Sequence, residues 1–496
     1  MPNASACISR RRTPIPGARP RLALPRFSEL CYKTGVSKTR LIVGALLTVV
    51  IAASLALLGW RAFARRPPER FVLIVIDSLR ADHLGCYGSP KGLTPNIDAL
   101  GARSVRFANT FAASSWTFPS NAALLTGRYP HEVRDRRALR LADEAKTIAE
   151  HLRAAGYATA GFSTHFMVSP HWNTAQGFDQ FMLRDRADDQ VLGACCRWMA
   201  RHQGDKYFVL LYLWAPHWPY TPSRVSPELK RKFAHVRRAV RRGNVWMNDE
   251  TRRPRITAHP RTNLEFSPLE IEVLHGLYDG AIRDADQRVG RVVKELGDDP
   301  RAVVAVLADH GEEWLDHGGL RHMHTLYREL LHVPFVLNAP GWSPRVMETP
   351  VSNVDVLPTF LSLAGLKTPP GLRGRALEPG NLEVRPVYSE VGYCMDFLVH
   401  RYAVRVSDRT AIYTLRDLPN EPAVPKGGVW EEYDLARDPG QHHVLAGAES
   451  DGRARELVRD YYKQTMATVG PRPVRVRKSL DAETARKMRA LGYVTR

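Results

Sequence analysis

Cysteine is scarce in this chain: there are six, at Cys7, Cys31, Cys86, Cys195, Cys196 and Cys394. No two form a C-x-x-C pair, so neither a disulfide framework nor a cysteine zinc site is indicated. Internal repeats are absent, which leaves no basis for a repeat architecture. No nucleic-acid motif is present either. The formal charge of +20 therefore points to lipid headgroups or to sulfated or phosphorylated substrates. What remains is an ordinary globular composition, and 496 residues suffice for one large domain plus a smaller one.

The charge is uneven. Residues 1–40 hold nine Lys/Arg against Glu29 and lack periodicity, which predicts a basic disordered tail. Leu41 to Trp60 is an uncharged run of 20 residues, long enough as a helix to cross ~30 Å of hydrocarbon. The positive bias before it predicts a single-pass helix in the cytoplasmic membrane, with the N-terminus inside and the bulk of the chain outside. The competing reading is a cleaved signal peptide, since Ala62-Phe63-Ala64 has the form of a cleavage site. A linker over 61–70 then leads to a catalytic region expected over 71–380 and a C-terminal subdomain with a helical tail over 381–496.

Past the linker, short β-rich runs alternate with helical patterns, which predicts an α/β fold with a mostly parallel sheet. Four runs carry chemistry just past their ends. Phe71–Ile76 ends in Asp77, and Tyr157–Phe162 is followed by Ser163 and His165. Tyr207–Leu213 runs into His217, and Ala302–Leu307 leads to Asp309-His310. In an open α/β sheet the ligand site lies outside the carboxyl ends of the strands. If the four are parallel neighbours, Asp77, His217, Asp309 and His310 converge on one edge. Elsewhere, Ser267-Pro268-Leu269-Glu270 is a capping box opening a helix to about Leu296. Val387–Ser389, Tyr402–Val406 and Ala411–Leu415 suggest a small antiparallel sheet, ended by a helix near Ala482–Leu491.

The segment Ser115-Trp116-Thr117-Phe118-Pro119-Ser120-Asn121-Ala122-Ala123-Leu124-Leu125-Thr126-Gly127 places the Thr117 hydroxyl at the mouth of a helix whose first turn starts at Pro119. The backbone N–H groups there suit a sulfate or phosphate. The plain alternative is that Thr117 only caps the helix.

This stretch resembles the sulfatase motif Cys/Ser-x-Pro-Ser-Arg-x-x-x-Leu-Thr-Gly, with Thr117 in the nucleophile position. Further landmarks of the sulfatase family follow in order over roughly 71–496. They are Asp77 with Leu84-Gly85-Cys86-Tyr87-Gly88, Thr94-Pro95-Asn96-Ile97-Asp98, His217-Trp218-Pro219-Tyr220, Asp309-His310-Gly311-Glu312, His324-Thr325-Leu326-Tyr327, Val354-Asp355-Val356-Leu357-Pro358-Thr359, Tyr433-Asp434-Leu435 and Leu491-Gly492-Tyr493. The resemblance implies an alkaline-phosphatase-like α/β sandwich with a small C-terminal antiparallel subdomain. Asp77, Asp309 and His310 would hold one divalent metal ion (Ca²⁺, Mg²⁺, Mn²⁺ or Zn²⁺), with Thr117 completing the shell. His217 and His324 would bind the tetrahedral anion and protonate the leaving oxygen. Asn121, in place of the motif's Arg, and His165, near the position of a missing Lys-Trp-His element, would contact substrate.

The departures bear on mechanism. Family members with Cys or Ser at the nucleophile position convert it to formylglycine, a route closed to a secondary alcohol such as Thr117. A threonyl sulfate lacks the carbon–oxygen exit of the aldehyde hydrate, whereas a threonyl phosphate can be opened at phosphorus. Ser78 replaces the usual second Asp, which suits a single-metal site. Residues 230–261 hold eleven Lys/Arg and read first as a solvated insertion, or else as a surface steering polyanions or headgroups. His317 and His322 are taken as structural. Three readings follow: a hydrolase of sulfated or phosphorylated glycans, lipids or small molecules; a membrane-anchored phosphotransferase acting on envelope lipid or glycan; or a non-catalytic tethered binding protein.

Overall fold

In the computed structural model of the chain, the described residues are 67–135, 140–220, 267–380, 382–391, 399–416, 428–450 and 452–469, with 43–44, 46–55 and a few isolated positions. The chain divides into two compact units, Met1–Arg66 and Pro67–Arg496. In the first, residues 46–55 are helical, and Leu46, Leu47, Val49, Val50, Ile51 and Leu55 are all more than half exposed. Among the described residues no helix is long and apolar enough to cross a membrane. The remainder of the expected 41–60 span, nearly all of the 1–40 tail and the basic insertion, and the start of the linker lie outside the described residues, as does nearly all of the helix expected at Ala482–Leu491.

The second unit is built on an eight-stranded sheet. Its strands are β1 (Arg70–Ile76), β2 (Val105–Phe107), β3 (Ala158–Ser163), β4 (Gln180–Leu183), β5 (Tyr207–Leu213), β6 (Ala302–Ala308), β7 (Phe335–Asn338) and β8 (Arg345–Met347), in the order β8-β2-β7-β6-β1-β5-β3-β4. All run parallel except β7, which opposes both its neighbours. The continuous apolar run of β1 reflects burial on both faces. Side chains alternate across a strand, so Val72, Ile74 and Ile76 pack with Ile97 of α1 (Pro95–Ala102), Val191 of α4 (Asp188–Arg201) and Ile282 and Val289 of α5 (Pro268–Leu296). Phe71, Leu73 and Val75 pack on the other face, with Leu152 of α3 (Ile148–Ala154) and Phe360 of α6 (Val356–Leu363). The capping box of α5 forms as expected, Ser267 accepting from the Glu270 N–H.

The four strands that carry chemistry are consecutive neighbours, β6-β1-β5-β3, and parallel. Their register sets the site: Ile76 lies level with Leu213 and with Ala308. Asp77, Trp214 and Asp309 therefore leave the sheet side by side.

A second sheet of four antiparallel strands, β9 (Val387–Val391), β10 (Val399–Val406), β11 (Arg409–Arg416) and β12 (Val429–Asp434), follows in sequence. The fourth strand and α7 (Arg453–Val469) are additions to the sequence expectation. Ala454, Val458 and Tyr461 of α7 pack on Tyr402, Val404 and Ala411 of this sheet, so the amphipathic helix closes a core the strands alone would leave wet.

Candidate active site

Thr117 opens α2 (Thr117–Thr126), two residues earlier than the sequence suggests. Its cap is Trp116, with no side-chain capping bond, so the Thr117 hydroxyl is not used as a helix cap. Instead Thr117 Oγ1 lies 3.3 Å from His310 Nε2. The helix ends as expected at Gly127, whose left-handed φ of 65° suits glycine.

Around this hydroxyl the sheet edge delivers its residues. His310 Nε2 is 3.6 Å from Asp77 Oδ1 and 3.6 Å from Asp309 Oδ2. Asp77, Thr117, Asp309 and His310 have no solvent exposure. Asp309 is well held: its Oδ2 accepts from Tyr212 Oη (2.7 Å) and Asn121 Nδ2 (2.9 Å), and its Oδ1 from the His310 N–H (2.9 Å). Asp77 Oδ1 accepts from Ser78 Oγ at 2.9 Å, but Asp77 Oδ2 accepts no hydrogen bond. Burial, and then the Asp309 charge, push the Asp77 carboxyl well above the usual carboxylate range. Ser78 itself adopts a left-handed φ of 56°, with its carbonyl held by Tyr278 Oη at 2.7 Å. Strain of this kind persists where surrounding contacts over-determine it.

This donor set fits a divalent cation. Two atoms about 2.1 Å from a common ion at a tetrahedral angle lie roughly 3.4 Å apart, and the ligand atoms of Asp77, Asp309 and His310 all lie within 4.8 Å of one another. The bare oxygen of Asp77 is a second sign, because a buried carboxylate without donors is costly unless a cation meets it. A parallel grouping of Asp77, His165 and His217 has similar spacing. Hydrogen bonding argues against it: the Met167 N–H donates to His165 Nδ1 at 2.9 Å, which places the ring proton on Nε2, the atom 3.8 Å from Asp77 Oδ2. A protonated nitrogen cannot ligate, so His165 presents an N–H donor to the site.

The same reasoning assigns the other imidazoles. His310 Nδ1 donates to Gly311 O at 2.9 Å, leaving Nε2 as a ligand atom. His217 Nδ1 donates to Trp218 O, and its ring lies 5.3 Å from that of His165. Burial, followed by neighbouring imidazoles, holds His165, His217 and His322 well below the usual histidine range, so they are neutral.

His322, read from sequence as structural, belongs to this cluster. Its ring is 4.4 Å from His310 and 4.9 Å from His217, and Glu312 Oε1 accepts from its Nδ1 at 3.0 Å. Glu312 is fully buried, also bonded by Tyr220 Oη at 3.0 Å, and burial pushes its carboxyl up to about 8. His324 is turned elsewhere: its Nε2 lies 2.6 Å from Glu313 Oε2 and its Nδ1 3.1 Å from His322 O. Two histidines two residues apart in a loop carry no periodicity to say which faces inward. Asn121 likewise directs its amide to Thr117 O (2.8 Å) and Asp309 Oδ2, holding that carboxylate in place. His317 lies outside this cluster, bonded to Glu329 and to Gln441 O.

A buried hydroxyl at a helix start, two carboxylates and a ring of imidazoles at the carboxyl edge of a parallel sheet define a metal-dependent ester-hydrolase architecture. The comparisons agree. The family profile "Sulfatase" matches residues 69–366, and the chain belongs to the sulfatase family of ester hydrolases. It is 28% identical over 450 residues to arylsulfatase A of Homo sapiens, covering 79% of this chain and 86% of that one. Its fold is similar to a structure solved in complex with its substrate D-glucosamine-2-N,6-O-disulfate (TM-score 0.63, 18% identity, 82% of this chain and 98% of the other). It is also similar to a phosphonate monoester hydrolase from Silicibacter pomeroyi (TM-score 0.59, 19% identity, 84% and 98%).

Proposed function

We propose that the protein is a metal-dependent hydrolase of sulfate or phosphate esters that uses Thr117 as its nucleophile. The observation that carries this reading is the Thr117 hydroxyl 3.3 Å from His310 Nε2, beside two buried carboxylates, one with a bare oxygen. Asp77, Thr117, Asp309 and His310 would hold a divalent ion (Ca²⁺, Mg²⁺, Mn²⁺ or Zn²⁺), which would supply Lewis acidity there, lowering the hydroxyl pKa and offsetting charge on the ester oxygens. Thr117 Oγ1 attacks the central phosphorus or sulfur, and the bond to the departing alcohol oxygen breaks. The neutral Nε2 of His217 or His322 takes the hydroxyl proton and delivers it to that oxygen. Water then attacks the same phosphorus or sulfur, the bond to Thr117 Oγ1 breaks, and the hydroxyl is regenerated as free phosphate or sulfate leaves. His165 donates its Nε2–H to a non-bridging oxygen, and Tyr212 and Asn121 keep Asp309 in place. His322 assumes the role that sequence gave to His324.

The substrate is an anionic ester on a glycan, lipid or small molecule, a reading supported by the sulfated sugar bound to the similar structure. Residues 71–380 form the catalytic region, and 381–496 the subdomain and tail. The exposed apolar helix at 46–55 supports a membrane anchor over 41–60, preceded by the 1–40 tail and followed by the 61–70 linker, with the catalytic region outside the cytoplasmic membrane.

A second reading, phosphotransfer to an envelope acceptor, is favoured by Thr117 itself, because a threonyl phosphate can be opened at phosphorus by an alcohol as well as by water. Turnover of p-nitrophenyl sulfate, phosphate and phosphodiester, measured side by side, tests both. Activity on sulfate alone removes the transferase, and activity on none removes both. Mass spectrometry of the Thr117 peptide after incubation is expected to show one added phosphoryl or sulfuryl group.

A further inference from the structure

The ribbon that carries His322 is strained. Leu315 (φ 65°), Arg321 (φ 71°) and Met323 (φ 84°) are all left-handed without being glycine. Glu313–Trp314 pairs with Leu320–Arg321 to form a two-stranded hairpin, a unit that is marginal alone. Something outside must hold it. One end is pinned to the nucleophile segment, where the Met323 N–H donates to Ser115 O at 2.9 Å. The tip is pinned through His317. Its Nδ1 is 2.9 Å from Glu329 Oε1, its Nε2 is 2.9 Å from the backbone oxygen of Gln441, and its ring stacks on Tyr327 at 3.8 Å.

Gln441 follows β12 and belongs to the C-terminal region. It is fully buried, has φ 60°, and its side-chain oxygen accepts from the Arg328 N–H at 2.6 Å. Tyr327 in turn donates to Glu431 of β12 at 2.8 Å, and Arg401 of β10 donates to His324 O. The C-terminal region thus grips the ribbon on both sides of His322, Gln441 at His317 and Arg401 at His324.

We propose that His317 is a positioning residue, through which the C-terminal subdomain aims His322 at the departing alcohol oxygen. The inference rests on the hydrolase reading and on His322 as proton carrier. Both ring nitrogens of His317 face acceptors, so it donates twice, and each bond can be deleted separately. Glutamine places its amide where Nε2 stands and reaches Gln441 O; asparagine places its amide where Nδ1 stands and reaches Glu329.

The test compares His317→Ala, His317→Gln and His317→Asn in the full chain on two esters of the same acid, p-nitrophenyl and a simple alkyl. The alkyl leaving group needs a proton and p-nitrophenolate does not. Loss of an aimed proton carrier is expected to lower kcat on both esters in His317→Ala, and about 10–100-fold more on the alkyl ester, which alone needs the delivered proton, than on the aryl ester. KM, bound metal per chain and melting midpoint should stay near wild type. His317→Gln should restore the alkyl activity and His317→Asn should not. Equal loss on both esters, no loss on either, or rescue by Asn as good as by Gln overturns the proposal. If His317→Ala fails to fold, the Gln and Asn pair decides. A wild-type protein inactive on both esters removes the hydrolase reading and this inference with it, whereas an active one with indifferent variants removes the inference alone.

Discussion

Asp77 at the edge of the parallel sheet and Glu390 in the C-terminal sheet are both buried carboxylates, yet their surroundings differ. Glu390 is saturated: it accepts from the His131 N–H at 2.7 Å, faces His131 Nδ1 at 2.9 Å and accepts from Tyr461 Oη at 2.8 Å. Asp77 keeps one oxygen without a donor, and the nearest carboxylate, Asp309, repels it. The two carboxylates are buried in opposite states. At Glu390 a satisfied network joins β9, α7 and the one-turn helix Pro130–Val133. At the sheet edge, the Asp77 oxygen without a donor lies beside Asp309 and His310, a grouping that fits a cation. These two carboxylates are told apart by their donors and by the charge beside them, not by burial.

The strongest way to sharpen this contrast is to remove the proposed nucleophile. Thr117→Ala is expected to lower turnover by on the order of 10⁴-fold or more, with a melting midpoint close to wild type; full activity in that variant ends the nucleophile assignment. Next, chelation of the full chain should abolish turnover and lower the melting midpoint, and returning the divalent ion should restore both. An apo protein as active as the untreated one breaks the contrast outright.

The two carboxylates should then respond in opposite directions. Asp77→Asn removes a buried charge, so the metal-free variant should unfold at higher denaturant than metal-free wild type, by about 1–2 kcal/mol, while binding no ion. Glu390→Gln breaks a saturated network and should cost about 1–3 kcal/mol. Shifts of the same sign in both variants would show that the two sites are electrostatically alike.

The smallest effect concerns His332, whose Nε2 lies 2.8 Å from Ala108 O. Burial, then the Arg328 charge, lower its pKa to about 3. The folded pKa is below the unfolded value of about 6.5, so the neutral ring's contribution is complete above that value and is lost as pH falls toward 3. Between pH 7 and pH 5 the loss is on the order of 1–2 kcal/mol. Denaturant titrations at both pH values should show a smaller loss in His332→Gln than in wild type.

Much of the framework was legible in sequence because the code is local. A run such as FVLIVI, apolar on both faces, makes a buried parallel strand, and Asp77 falls where such strands end. The capping box at Ser267 starts α5 for reasons contained in four residues. α7 was missed because its apolar face is spread thinly among charges and is explained only by the aromatic surface of β10 and β11 that it covers.

The site divides in the same way. Sequence by itself determined that a hydroxyl, two carboxylates and a histidine would stand at strand and helix ends, because chain direction and strand length place them there. Only the tertiary structure decided that His322 faces inward while His324 pairs with Glu313, that His165 offers a proton instead of a lone pair, and that Asn121 serves Asp309. Those outcomes depend on which acceptor lies within about 3 Å of each ring nitrogen or amide, and the acceptors come from segments remote in the chain.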